Sequence, residues 1–368
     1  MLMKDLTYLL YILNSAVSSI SPALVNLLQN WLSFHTNFNL TKIELKDFCR
    51  AISLSAKQTQ RCFDVHKLNT SEQFFNLLKQ YEIKSVNLFE PSYPTSLRQI
   101  PDPPLVLYYR GDIAFLRKTS CIALVGTRRK TNYGEQACNK IISGLTGNNI
   151  TIVSGLAYGI DATSHQLALQ NNLKTIAVLG SGIDDQTIYP KANYRLSQAI
   201  ISSGGAVISE YPPLTPAQPY QFVARNRIIA GLSLATIIVE CAKKSGALIT
   251  ADFSLEYNRS VFAVPGSIFS DLSAGPNWLL SQGAGVVSKP EDILHFLGME
   301  AKPIKLATYN QFTQQELTVL KYIQHEQINF DDLVEVTRLS VSELQTALGN
   351  LELNKIISQI SPQVFSKL

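Results

Sequence analysis

The chain has 368 residues, 46% of them hydrophobic and 16% charged, with a formal net charge of +4 at pH 7. That length suits about two or three domains with a sizeable core, and the composition excludes an intrinsically disordered chain. A charge this close to neutrality excludes polyanion binding through overall basicity, so any such site must come from local clustering.

Residues 1–85 read as a small helical module. The opening MLMKDLTYLLYILNSAV imitates a signal peptide, but Asp5 and Asn14 interrupt it and favour a helix start. Leu6, Leu9, Leu10, Leu13 and Val17 share one helical face, and Leu24, Leu27, Leu28 and Trp31 form another. Ser21-Pro22 suits a cap followed by a first-turn proline. Further helices are expected within Leu40–Cys62 and at Ser71–Gln80. His35 and His66 read as surface or packing residues. The five cysteines, Cys49, Cys62, Cys121, Cys138 and Cys241, are widely spaced and lack a C-x-x-C pair. They argue against zinc ribbons and disulfide scaffolds and for a reducing cytoplasm. No apolar run is long enough to span a bilayer, so no membrane partner is expected.

From Val86 the composition changes to a proline-rich arm that ends in an apolar strand at Leu105–Tyr109. Strands and helices then alternate. Strands are expected at Ile122–Val125, Ile150–Val153, Thr175–Leu179, Ala206–Ile208, Thr236–Val239 and Val261–Val264. Helices are expected at Tyr133–Thr146, Asp161–Gln170, Asn193–Ser203, Asn226–Leu232 and Thr250–Tyr257. This order implies a doubly wound, mostly parallel sheet with its ligand at the carboxyl ends of the strands.

Those ends carry glycines, cations and small hydroxyls. After the first strand come Gly126, Thr127, Arg128, Arg129 and Lys130; after the second, Ser154 and Gly155. The third leads through Gly180-Ser181-Gly182 to Lys191, Asn193 and Tyr194. The fourth is followed by Glu210, then Arg225, Asn226 and Arg227, and the fifth by Glu240, Lys243 and Lys244. The turn Gly126–Gly134, leading from strand to helix, offers backbone N–H groups to an anion, or is a tight turn with solvated cations. Five such loops at one edge point to a polyanion site. No G-x-G-x-x-G follows the first strand, and no acid ends the second to hold a ribose, which disfavours dinucleotide binding; no phosphate-binding G-x-x-x-x-G-K-[ST] occurs either. Asp161 stands where a helix N-cap is expected, and His165 four residues on forms either a catalytic pair with it or a satisfied structural contact. No nucleophile–base–orienter set is visible, which favours binding over catalysis. A nucleotide-cleaving phosphoribohydrolase wants P-G-G-x-G-T-x-x-E, but the chain offers only Pro265-Gly266-Ser267.

The blocks SYPTSLRQIPDPPLVLYYRGD, ALVGTRRKTNYG, VSGLAYGIDATSHQLAL, TIAVLGSGIDDQTIYPKANYRL, SEYPP, RNRIIAGLS, VECAKKSGALITADFSLEYNRSVFAVPG and GPNWLLSQGA resemble, in register over about residues 92–285, the DNA-processing protein A (DprA/Smf) family of bacteria. The resemblance implies an extended Rossmann-like domain at 86–298, preceded by a helical SAM-like domain at 1–85. It implies single-stranded DNA binding, homodimerisation near Trp278–Phe296, help in loading RecA recombinase during natural transformation, and no enzymatic activity or cofactor. By motif it places the DNA pocket at Arg128, Lys191, Asn193 and Tyr194; the strand-edge reading adds Arg225, Arg227, Lys243 and Lys244. The L-P-G-V-G hairpin of many relatives is replaced by Asn14-Ser15-Ala16-Val17.

Residues 299–311 read as a linker and 312–368 as a winged-helix-like domain. Helices are expected at Gln314–His325, Phe330–Thr337 and Ser342–Leu353, with Ser340 and Glu343 as a capping box. This segment is acidic, and its Ser342–Leu353 helix lacks Lys and Arg, which favours protein contact or scaffolding over groove binding.

Overall fold

A computed structural model describes residues 2–17, 21–34, 42–68, 70–300, 312–323, 328–354 and 356–367. The chain divides into two compact units, 1–301 and 302–368. His35 and nearly all of the expected linker lie outside the described residues.

The first unit is built on a nine-stranded sheet. Its strands are β1 (Lys84–Asn87), β2 (Val106–Gly111), β3 (Ser120–Val125), β4 (Ile150–Ser154), β5 (Lys174–Leu179), β6 (Ala206–Ser209), β7 (Ala235–Ile238), β8 (Ser260–Ala263) and β9 (Gly285–Val286). They lie in the order β1-β2-β6-β5-β4-β3-β7-β8-β9, and β6 through β9 in that order run parallel. The central strands are fully buried, as continuous apolar runs covered by helices on both faces require. From β3 the chain winds outward through β4, β5 and β6, then returns to β7 on the other side of β3. The strand order therefore reverses between β3 and β7, and ligands bind outside the carboxyl ends at such a point.

The proline-rich arm supplies β1 and β2, which add antiparallel to the β6 edge. Short, polar β1 has no apolar run to announce it. The five N-terminal helices are Leu2–Ala16, Pro22–Phe34, Lys42–Ala51, Ala56–Leu68 and Ser71–Gln80. Leu24 N–H donates to Ser21 Oγ at 3.2 Å, the cap expected ahead of Pro22. The stretch Leu40–Cys62 is broken at Ser53, whose φ of 59° ends the first of its helices. These helices share one core with the sheet edge. The ring of Tyr8 lies 5.8 Å from Phe74, Phe74 lies 6.3 Å from Tyr108 on β2, and Asn87 Nδ2 donates to Thr7 Oγ1 at 3.0 Å. His66 takes a packing role, its Nδ1 3.2 Å from Tyr8 Oη.

The second unit holds helices Gln314–Tyr322, Phe330–Thr337 and Val341–Leu353 and a small antiparallel sheet. Its strands β10 (Ile328–Asn329), β11 (Ile357–Ser361) and β12 (Val364–Lys367) lie in the order β10-β12-β11. Leu320, Leu333, Leu344, Leu348, Leu351 and Phe365 form its core. The expected capping box is present: Glu343 N–H donates to Ser340 Oγ at 3.3 Å, and Ser340 N–H to Glu343 Oε2 at 2.9 Å. This is a winged-helix arrangement.

Candidate nucleic-acid interface

Three loops are tied together at the point where the strand order reverses. Thr127 N–H donates to Glu240 O at 2.6 Å, and Ile160 N–H donates to Thr127 O at 3.1 Å. Gly126 is required because a β-carbon there would stand 2.7 Å from Ile160 Cγ1 and 2.8 Å from Glu240 O. The N-terminus of helix Asn132–Gly144 is occupied by the protein's own carboxylate. Thr131 donates to Glu240 from both N–H (3.1 Å) and Oγ1 (2.5 Å), and a β-carbon at Gly134 would collide with that carboxylate. The anion-binding turn expected at Gly126–Gly134 is thus filled from within, and of its cations only Arg128 faces the adjacent cleft. Arg129 is exposed outside it, and Lys130 pairs with Glu135 at 2.9 Å.

That cleft encloses about 570 Å³ between helices Pro219–Leu232 and Gly246–Glu256. Gly126, Thr127 and Arg128 line one side, and Phe222, Arg225 and Asn226 another. Lys244 and Gly246 close the third side. Phe222, Arg225, Asn226 and Ile229 all reach it because i, i+3, i+4 and i+7 share one helix face. The helix begins at Pro219, seven residues before the Asn226 expected from sequence. Proline suits a first helical turn, and Gln218 N–H donates to Gln221 Oε1 at 2.6 Å across it. Helix Gly246–Glu256 likewise starts before the expected Thr250, capped by Ser245.

Arg225 is only 5% exposed. Its Nη1 donates to Gly155 O at 2.6 Å and to Val178 O, and its Nε to Asn226 Oδ1 at 3.2 Å. Burial lowers its pKa to about 10 against the attraction of Asp161, with a smaller push from Arg128. Gly155 must be glycine because a β-carbon there would collide with this guanidinium. Ser154 is buried too, its Oγ donating to Leu124 O at 2.6 Å. Ser154 is therefore committed to β4, whereas Gly155 makes room for Arg225 and lines the small recess beside the cleft with Tyr189 and Phe222.

Arg227 departs from expectation. Two residues along a helix is about 200°, so it points away from Arg225. It is buried against Glu210 at 2.6 Å and Asp102 at 3.3 Å. Burial opposes its charge, but these two carboxylates outweigh that and raise its pKa. It holds the sheet edge and is no cation of the cleft. Lys243 is exposed outside the cleft, whereas Lys244 lines it.

The loop after β5 adjoins the cleft through Tyr189 and Pro190. The Tyr189 ring lies 5.6 Å from Phe222, and the Arg128 guanidinium 5.7 Å from the Phe222 centroid. Lys191 is exposed, with Nζ 5.1 Å from the Tyr194 ring centre and bonded to Asp185 O at 2.5 Å. Tyr194 is half-buried against the core beneath it. Asn193 Nδ2 donates to Leu156 O at 2.8 Å, fixing the loop after β4. Phe222 escaped sequence reading, since a helix expected to start only at Asn226 gives it no face shared with Arg225 and Asn226.

The acid–base candidates are committed to the fold. Asp161 is not the N-cap, which is Gly159 (φ 74°); its carboxylate accepts from Gly155 N–H at 3.1 Å. Burial raises its pKa against the pull of Arg225. His165 Nδ1 lies 2.6 Å from Thr175 Oγ1, and burial, then Arg225, lowers its pKa to about 3. It is a neutral structural histidine.

The family described as DNA recombination-mediator protein A matches residues 84–298, and a DprA winged helix domain matches residues 305–361. The DNA processing protein DprA of Streptococcus pneumoniae is 41% identical over 235 residues, covering 64% of this chain and 79% of that protein. Protein Smf of Escherichia coli is 39% identical over 269 residues, 71% of each. The X-ray structure of S. pneumoniae DprA superposes with a TM-score of 0.68 at 34% identity, covering 78% of this chain and 97% of that one. A structure of Helicobacter pylori DNA processing protein A, described for its unique single-stranded DNA binding mode, gives a TM-score of 0.53 at 30% identity over 59% of this chain and 96% of that one.

Proposed function

Starting from a chain that belongs to the DNA recombination-mediator protein A (DprA) family, we propose that it binds single-stranded DNA at this cleft and passes the strand to a RecA-type recombinase during natural transformation. The observation that carries the reading is the meeting of exposed cations with accessible aromatic faces. Arg128 and Lys244 line the cleft together with Phe222 and Tyr189, and Lys191 follows Pro190 at its edge. Cations take phosphates without regard to sequence, while rings stack on bases that only an unpaired strand can offer. The binding described for the H. pylori relative agrees with this. Binding without catalysis fits the internal bonds of Asp161, His165 and Glu240.

We place homodimerisation at the β9 edge. Among the described residues β9 pairs on one side only, and Trp278, Val286 and Phe296 are exposed near it. The winged-helix unit, poor in cations, contributes contacts to protein rather than to DNA. The mediator role is tested by adding the protein to single strands coated with single-strand-binding protein and following RecA filament assembly. Faster assembly is expected, and an unchanged rate contradicts the RecA step.

A further inference from the structure

The cleft gathers three cations, Arg225 buried and Arg128 and Lys244 exposed. Among the described residues, Arg128, Arg225 and Lys244 join no ion pair, and the acid lining the same space is Asp161, turned to Gly155 N–H. Arg225 is nine-tenths buried, yet its Nη2 has no hydrogen-bond partner, while Nη1 and Nε are taken by Gly155, Val178 and Asn226. Asp161 attracts this guanidinium without forming an ion pair with it, so the buried charge is only partly met, and an anion at Nη2 relieves that cost. Across the cleft begins helix Gly246–Glu256, eleven residues long and without an acid in its first turn. The neighbouring helix Asn132–Gly144 has its N-terminus met by Glu240 instead. The two helix starts are thus treated differently: one meets a carboxylate, and the other, capped by the neutral Ser245 hydroxyl, lines the same cleft as Arg225.

We propose that this cleft binds the terminal phosphomonoester of a nucleotide, whether that nucleotide ends a strand or is free, between Arg225 Nη2, the start of helix Gly246–Glu256 and Lys244. This rests on the single-strand reading above and adds recognition of an end to it. Depth decides for a terminal group. An internal phosphodiester reaches a guanidinium that is 5% exposed only by carrying sugars inward on both sides, whereas a terminal phosphate carries one. A space of about 570 Å³ lies within the range of about 300–1,000 Å³ that holds one small ligand. Phe222, Val223, Ile229 and Leu272 give the attached base an apolar wall.

The test measures anisotropy of the full-length chain with labelled hexathymidylates bearing a 5′-phosphate, a 3′-phosphate or hydroxyls only, competed with thymidine monophosphate. One phosphorylated end should bind about tenfold tighter than the hydroxyl-ended strand, as one charge-assisted contact implies. If the monophosphate erases that advantage, free nucleotides are also ligands; if it does not, the pocket reads strand ends alone. Gly246→Glu should abolish the advantage without unfolding. No atom lies within 4 Å of a β-carbon there, and an acid suits a helix start. Lys244→Gln should reduce the advantage severalfold, an independent check. Equal affinity for all ends, with no competition by the monophosphate, overturns the pocket. If a long hydroxyl-ended strand still binds then, only the pocket falls; if it does not, the single-strand reading falls too.

Discussion

Arg128 and Phe222 are in contact, yet charge and stacking respond differently to salt. Arg128→Ala should weaken binding to every sequence and flatten the slope of log K against log salt by about 0.7, the loss of one phosphate contact on a single strand. Phe222→Ala should cost about 1–3 kcal/mol with the slope unchanged. Salt-dependent titration of both variants checks this, and equal slope changes would contradict the assignment. His165 gives a pH signature of a different kind. Its folded pKa of about 3 lies below the 6.5 of an ordinary histidine, so the unfolded chain binds the extra proton between those values. Its penalty is absent above pH 6.5 and grows as pH falls towards 3, by at most about 1.4 kcal/mol per pH unit. Denaturant unfolding across that window should show a shallower acid limb in His165→Gln than in the wild type.

At the scale of elements, the β3-to-β8 succession was legible because buried parallel strands are continuous apolar runs. Two helix starts were not. Pro219 and Gly246 look like loop residues, although proline fits a first turn and a capped glycine tolerates one. With Pro219 as the start, Phe222, Arg225 and Asn226 fall on one face and Arg227 on the other; with a start at Asn226, nothing separates Arg225, Asn226 and Arg227. The buried partner of Arg227, Glu210, lies 17 residues away, and nothing local announces the pair. The same distinction sharpens the dimer proposal. Ile293, Leu294 and Leu279 are core, so charging them would unfold the region, whereas Val286 is 52% exposed on the edge strand. Val286→Lys should shift sedimentation towards monomer with the melting temperature preserved. A wild type that sediments as a monomer at micromolar concentration would end the proposal.

At the scale of the molecule, the N-terminal helices and the sheet form one compact unit. A fragment cut at Asn87 would sever β1 and remove Leu9, Leu10 and Leu13 from a shared core, so residues 1–300 are the smallest piece expected to stand alone. Because Arg128, Lys191 and Lys244 all lie within it, that fragment should keep most of the affinity of the full chain. The winged-helix unit, whose Val341–Leu353 helix carries no Lys or Arg, should matter little to DNA binding. The most direct measurement is the affinity of the full-length chain for labelled oligothymidylate, set against the same strand annealed to its complement at matched salt. The cleft predicts that the single strand binds at least about tenfold tighter, since one stacked base is worth about 1–3 kcal/mol and a paired base cannot stack. Equal affinity for single strand and duplex would contradict it.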